Sequence, residues 1–346
     1  MAFICPRDTA VVILSYKSKA WHEQFLPAIV AEADAGYKVY LVDHASPDGT
    51  ADYVKENFPD VQLIRLKENH GFAWGYDQAL RQIKAKYYIL LSSDFEVTTH
   101  WFAPLHTAME QNPDWAACQP KIRYYRDRPY FEYAGAAGGF MDKWGYMFCR
   151  GRIFNTLEKD LGQYDDATTL FWASGGCLMV RSEVYLKVGG LDADFFAHME
   201  EIDLCWRMKN AGFSIGYVPQ STVFHVGGAV ISYGSPQKTY YNFRNNLILL
   251  IKNEKSSKLW WLIPLRLLLD GIAGIQFLLA GKVRNLWAIC RAHNHFIRGL
   301  GIWIKKRKLI QPLVTERNET GIYPKSIIIQ YYLKRKKKFS DLDFRP

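Results

Sequence analysis

Asp94 and Glu96 flank one residue at the end of the apolar run YYILLSS, where a buried strand surfaces. Two carboxylates so spaced can hold a hard divalent cation through oxygen ligands. Such a cation could bridge the two phosphates of a nucleotide sugar and stabilise a departing diphosphate. The alternative is a helix cap ahead of TTHWFAPLHTAMEQ, where Thr98 or Thr99 already caps well. A second acidic group, Glu200, Glu201 and Asp203, opens an amphipathic helix whose stripe is Leu204, Met208 and Ala211 and which Gly212 closes. The helix dipole favours acids in a first turn; a carboxylate held there could equally act as general base toward a hydroxyl. His225 ends a strand-like run, VPQSTVFH, before two glycines. Its imidazole is either structural or completes a metal shell or contacts a diphosphate.

The elements that would position these groups alternate. Residues 10–16, 38–43, 61–66 and 87–93 read as short β-branched or apolar strands, separated by segments of helical spacing. That order predicts an α/β fold with a mostly parallel sheet covered by helices. Ligands bind at the carboxyl ends of such strands, which here are Ser15-Tyr16, Asp43-His44 and Ser93-Asp94. No GxGxxG follows the first strand and no GxxxxGK[ST] occurs, which disfavours nicotinamide or flavin enzymes and P-loop NTPases.

The ordered set VVILSY, LVDHASPDGT, NHGFAWGYDQAL, LLSSDFEV, FWASGGCLMVRSEVYLKVGGLD and FFAHMEEIDLCWRMKNAGF resembles family 2 glycosyltransferases, in particular the rhamnosyltransferase-like branch of bacterial surface-polysaccharide assembly, over roughly residues 8–253. The resemblance implies a GT-A fold, a nucleoside-diphosphate sugar as co-substrate, Mg2+ or Mn2+, and inverting transfer to a glycan or lipid-linked acceptor. It assigns Ser15, Tyr16 and Asp43 to the nucleotide, and matches Asn69, Gly71, Phe72 and Gly75 to an NxGFAxG motif. It puts the metal motif on Asp94 and Glu96, with Glu in place of the family's second Asp, and the base on Glu201 with Glu200 in reserve. Trp172, Gly175 and Gly176 fall in the loop near the donor sugar. His225 would join the metal or the diphosphate.

The net charge of +10 is uneven: residues 281–346 hold 16 Lys/Arg against 4 Asp/Glu. A near-neutral body with a basic tail points to an anionic partner. The apolar stretch 259–281 could span a bilayer by length, but Arg266 and Asp270 sit near its middle. Each costs roughly 2.5–3.5 kcal/mol on insertion against about 0.3–0.6 gained per large apolar residue. With Pro264 and Gly271 as interruptions, the expectation is a segment lying in the interface or a re-entrant hairpin. Arg284, Arg291, Arg298 and Lys305 recur every seven residues. Leu286, Ile289, Cys290, Phe296, Ile297, Leu300 and Ile304 lie opposite, with Trp287 and Trp303 flanking. That pattern predicts a basic amphipathic helix on a membrane, and the runs KKRK and KRKKK add attraction to anionic lipid. The basic runs carry no nucleic-acid motif, so no nucleic-acid partner is expected. The division is therefore 1–255, a GT-A glycosyltransferase domain, and 256–346, a helical, basic, membrane-associating region. With no basic leader at Met1 and no CxxC among six scattered cysteines, the expected place is the cytoplasmic face of the inner (plasma) membrane, with reduced thiols and no zinc site. The rival reading is a non-catalytic GT-A-fold scaffold at the membrane. A nucleotidyltransferase of similar fold is disfavoured, since its Gly-rich basic N-terminal loop is missing.

Overall fold

A computed structural model describes residues 8–227 and 234–345. Gly228, the second glycine after His225, lies outside the described residues, as does Cys5.

The strands are β1 (Thr9–Ser15), β2 (Tyr37–His44), β3 (Gln62–Leu66), β4 (Tyr87–Ser92), β5 (Phe95–Val97), β6 (Trp115–Tyr124), β7 (Gly139–Asp142), β8 (Met147–Cys149), β9 (Arg152–Ile153), β10 (Thr156–Leu157), β11 (Thr168–Leu170), β12 (Cys177–Arg181), β13 (Ser214–His225) and β14 (Ile322–Tyr323). The α-helices are α1 (Lys19–Ala31), α2 (Thr50–Asn57), α3 (Phe72–Leu80), α4 (Phe102–Gln111), α5 (Ser182–Lys187), α6 (Glu200–Asn210), α7 (Pro236–Asn253), α8 (Ser256–Leu279), α9 (Val283–Arg298) and α10 (Leu300–Ile310).

The main sheet runs β11-β13-β6-β12-β4-β1-β2-β3, with β5 paired to β13. The first four strands in sequence are mutually parallel, as their alternation with helices predicts. On β1, Val11 and Ile13 enter one core and Ala10 and Val12 the other. Alternate residues of a strand face opposite sides, so a strand buried on both faces must be apolar throughout. The chain leaves β1 for β2 on one side and reaches β4 on the other, which opens a crevice between β1 and β4 at their carboxyl ends. Antiparallel β12 then joins this half to β6 and β13, where Glu200, Glu201 and His225 are brought in.

A smaller sheet, β10-β9-β8-β7-β14, sits beside it. Its last strand comes from the tail: Ile322 and Tyr323 pair in parallel with Met141 and Asp142. The final segment thus returns to the body, with Phe339 and Phe344 against Phe140, and crosses the 255/256 division drawn from the sequence.

The helical region differs from its expected form in three ways. Pro264 and Gly271 do not interrupt α8, which is one helix of 24 residues and is long and apolar enough to cross a bilayer by length and composition. Arg266 and Asp270 turn inward: Arg266 donates to the carbonyls of Trp144 and Gly145, both at 3.0 Å, and His293 Nε2 lies 3.1 Å from Asp270. The insertion cost reckoned for these charges does not arise, because protein rather than lipid surrounds them. The expected single helix over 284–305 breaks at Gly299 into α9 and α10, and Trp303 is buried with its indole N–H on the Phe296 carbonyl. Part of the apolar stripe, Ile289 and Phe296, packs inward, whereas Trp287 and Ile297 stay exposed.

Candidate active site

Register places the ends of the parallel strands side by side: Ser15 opposite Asp43, and Leu14 opposite Ser92. Ser15 is fully buried and its hydroxyl lies 2.9 Å from His22 Nε2. Burial pushes His22 down to about 4, so this imidazole is neutral. The Ser15 side chain is therefore spent on packing, a correction to its expected nucleotide role; the adjacent Tyr16 ring is the exposed group of the pair. Asp43 accepts from the Ser46 amide at 3.2 Å, and the Ser46 hydroxyl donates to the Ser15 carbonyl at 3.3 Å. Asn69 accepts from the Gly71 amide at 3.0 Å, closing an Asx turn. Gly71 has φ of 94°, and a Cβ there would sit 2.7 Å from the Phe196 carbonyl oxygen. Only glycine lets this turn meet the loop that leads into α6.

At the β4–β5 turn, Asp94 is buried, and its Oδ2 lies 3.2 Å from His225 Nε2. The second ring nitrogen of His225 lies 3.2 Å from Glu132 Oε1. Phe95 stacks on the ring at 4.3 Å. Burial opposes charge on this imidazole, but the carboxylates of Glu132 and Asp94 outweigh it and raise its pKa to about 10. Glu132 went unnoticed in the sequence. It sits in the loop PYFEYAGAAGG, and no spacing ties it to a histidine 93 positions later. A carboxylate and an imidazole nitrogen converging at 3.2 Å suit a divalent cation such as Mn2+. The proton on Nε2 stands where the cation would bind.

Glu96 is not joined to that group by any described contact. Its two oxygens accept from Arg128 at 2.9 and 2.8 Å, and the guanidinium lies over the Phe224 ring. Trp172 is likewise placed differently from expectation. It is buried, donates to the Phe140 carbonyl at 3.0 Å and covers Gly139, so it fastens the small sheet to the main one. Gly175 and Gly176 lie between the Asp94–His225 group and Glu201. A Cβ on Gly176 would meet the Phe95 ring at 2.7 Å, and one on Gly175 would meet Glu201 Cβ at 3.2 Å. This loop thus bridges the Asp94–His225 group and the acid pair.

Glu200 and Glu201 open α6 after a left-handed residue, Met199. Burial raises the Glu201 pKa to about 7. Burial, then repulsion by Glu201, holds Glu200 well above the usual carboxylate range. One oxygen of each, with His198 Nε2, is sealed from solvent without a hydrogen-bond partner among the described residues. Glu201 also accepts from backbone amides at Met199, Glu201 and Ile202, which draw its pKa down without offsetting burial. A carboxyl pair whose acidity burial shifts this far is a candidate for proton transfer. Asp203 separates from them: it is fully buried between Arg207 at 2.9 Å and Lys252 at 2.8 Å, a structural ion pair. A further group, Asp8, His106 and Glu110, could hold a metal by proximity. It lies at the opposite end of the sheet, before β1, and Glu110 is already held by Lys86 and Tyr87.

A mixed sheet with a carboxylate-imidazole group at the strand ends and a raised acid pair across a glycine loop defines a GT-A-type glycosyltransferase. Residues 10–189 match the sequence model described as Glycosyl transferase family 2, and the chain belongs to that family. It is 25% identical over 290 residues to N-acetylglucosaminyl-diphospho-decaprenol L-rhamnosyltransferase of Mycobacterium tuberculosis, covering 77% of this chain and 90% of that one. Its fold is similar to GalNAc-T7 solved with UDP, GalNAc and Mn2+, with a TM-score of 0.56 at 17% identity, covering 71% of this chain and 48% of that one. It is also similar to the mannosyltransferase PcManGT of Pyrobaculum calidifontis solved with GDP-Man and Mn2+ (TM-score 0.52, 15% identity, 90% and 87% covered). The protein is a glycosyltransferase of polysaccharide or glycan synthesis.

Proposed function

We propose that the chain transfers a hexosyl or deoxyhexosyl group, with inversion, from a nucleoside-diphosphate donor to a hydroxyl of a glycan or lipid-linked acceptor. The observation that carries this reading is the acid pair Glu200–Glu201, Glu200 buried and Glu201 half-buried, each with one sealed, unpartnered oxygen, across Gly175 from the Asp94–His225 group. Asp43, Tyr16 and the Asn69–Gly71 turn bind the nucleotide, while Gly175 and Gly176 leave room beside it for the donor sugar. Asp94 and His225 would hold Mg2+ or Mn2+; Glu96 joins them only if Arg128 releases it. When bound, the cation neutralises the diphosphate and lowers the barrier to its departure. Glu201 takes the proton from the acceptor hydroxyl as that oxygen bonds to the anomeric carbon and the bond to the diphosphate breaks. A raised pKa makes Glu201 a stronger base than a solvated carboxylate. The relative named for a polyprenyl-diphosphate substrate supports a lipid-linked acceptor.

The same reading places the protein on an anionic membrane, at its cytoplasmic face. With Arg266 and Asp270 turned inward, α8 presents Trp260, Leu268, Ile275 and Leu279 outward, the last 83% exposed. Trp287 and Val283 of α9 extend this patch, and exposed Lys282, Arg284 and Arg291 border it. An apolar face rimmed by basic groups fits an interface with lipid headgroups.

The test is turnover of the purified full chain with a panel of nucleoside-diphosphate hexoses and 6-deoxyhexoses, Mn2+ and a polyprenyl-diphosphate sugar. Release of nucleoside diphosphate that Glu201→Gln abolishes is expected. No turnover and no bound nucleotide across the panel would leave the scaffold reading standing.

A further inference from the structure

We infer that Asn245 is a positioning residue: it locks the left-handed loop 195–199 whose exit aims Glu200 and Glu201 into the crevice. The inference rests on the reading of Glu201 as the base.

Phe196, His198 and Met199 have φ of 64°, 71° and 73°. None is glycine, so each occupies a backbone region that its side chain disfavours. Such a loop persists only if its surroundings over-determine it. The surroundings come from α7. Asn245 is fully buried, and its amide nitrogen donates to three loop carbonyls, Phe195 at 2.9 Å, Ala197 at 3.0 Å and His198 at 2.6 Å. Two N–H groups serve three acceptors, so one is shared. Its own oxygen is fixed by Arg244 Nε at 2.8 Å. Arg244 in turn donates to the Asp194 and Phe195 carbonyls at 2.7 and 3.0 Å. The loop's other side is held by the Ala73 amide on the Phe196 carbonyl at 3.3 Å and by Tyr241 stacked on the Phe196 ring.

Met199 is the last left-handed residue, and its carbonyl accepts the Asp203 amide as the first turn of α6. The direction in which the chain leaves Met199 therefore sets where Glu200 and Glu201 point. Without the three bonds from Asn245, the loop can relax toward right-handed conformations, turning the first turn of α6 and wetting the acid pair. Both Arg244 and Asn245 are buried against main chain.

Two measurements on the full chain test this, neither requiring a known donor. Amide hydrogen exchange at residues 195–201 should rise about tenfold or more in Asn245→Ala and Asn245→Asp. It should stay unchanged in Asn246→Ala, whose side chain bonds Gly145 instead. Carbodiimide labelling of Glu200 and Glu201 against pH should show its midpoint falling toward the ordinary carboxylate range in the Asn245 variants alone, which mere loss of stability would not produce. If those variants do not fold, Arg244→Lys carries the same readouts with a smaller shift. Exchange and labelling unchanged from the parent overturn the inference. Full turnover by Glu201→Gln would instead overturn the base assignment and leave these readouts interpretable.

Discussion

Glu132 Oε1 lies 3.2 Å from one ring nitrogen of His225, opposite the nitrogen that faces Asp94. A carboxylate on the far side of a metal-binding imidazole fixes its tautomer and raises its basicity. Glu132→Gln should weaken Mn2+ binding about 10–100-fold, read by titration calorimetry in the absence of any sugar nucleotide. Glu96→Gln should change it less, since Arg128 holds that carboxylate. Equal losses from the two would remove Glu132 from this role.

Glu201 must be ionised to accept a proton, and burial raises its pKa to about 7. Turnover should therefore climb as pH rises through about 7 rather than through the carboxylate range near 4.5. Glu201→Gln should lower the rate by about 10²–10⁴ while nucleotide binding persists. Stability runs the other way. The folded state keeps a proton that the unfolded state loses above 4.5, so this group's contribution falls as pH rises from 4.5 to about 7. A pH–rate limb near 4.5 would contradict the assignment.

Gly176→Ala forces a methyl into the Phe95 ring, which stacks on His225. Overpacking costs about 1–3 kcal/mol, and the displaced ring should disturb metal binding as well. The check is paired: a lowered Tm together with weaker Mn2+ binding. An unchanged metal affinity would show that Phe95 does not transmit the shift.

Leu268→Glu and Ile275→Glu on the outer face of α8 should reduce co-sedimentation with anionic vesicles and leave Tm nearly unchanged. Arg266→Ala, on the inner face, should lower Tm because it abandons two buried carbonyls and the Tyr146 ring. Release of the parent chain from vesicles by salt alone would argue that charge, not apolar burial, holds it there.

Asp203→Asn leaves Arg207 facing a neutral group in the interior, while Lys252 keeps Asp192 at 2.6 Å. Leaving a buried charge uncompensated costs about 3–5 kcal/mol, so with Asp192 still on Lys252 urea unfolding should shift by less than that. Catalysis per folded molecule should remain. A stable Asp203→Asn with lost turnover would move Asp203 into the site.

The alternation of strands and helices, the polar strand ends and the order of the motifs were legible because they are local. A run such as VVILS is apolar at every position only when both faces are buried, and the two cores on either side of β1 bear this out. Asp94, Glu200 and Glu201 could be picked out by residue type and short-range spacing, whereas Gly175 and Gly176 came only from the family resemblance. Which groups meet was a matter of tertiary structure. Glu132 reaches His225 because its loop folds back on β6, where its amide donates to the Ile122 carbonyl, and β6 lies parallel beside β13. Glu96 turns to Arg128 and Trp172 to Phe140 because those partners lie across loops with no shared period. The same holds for α8: its composition marks an apolar helix, but only packing decided that Arg266 and Asp270 face protein and leucines face outward. Residue types set what chemistry is possible; long-range pairing decides which atoms share a few ångströms, and that distance is what turns a carboxylate into a base, a ligand or a strut.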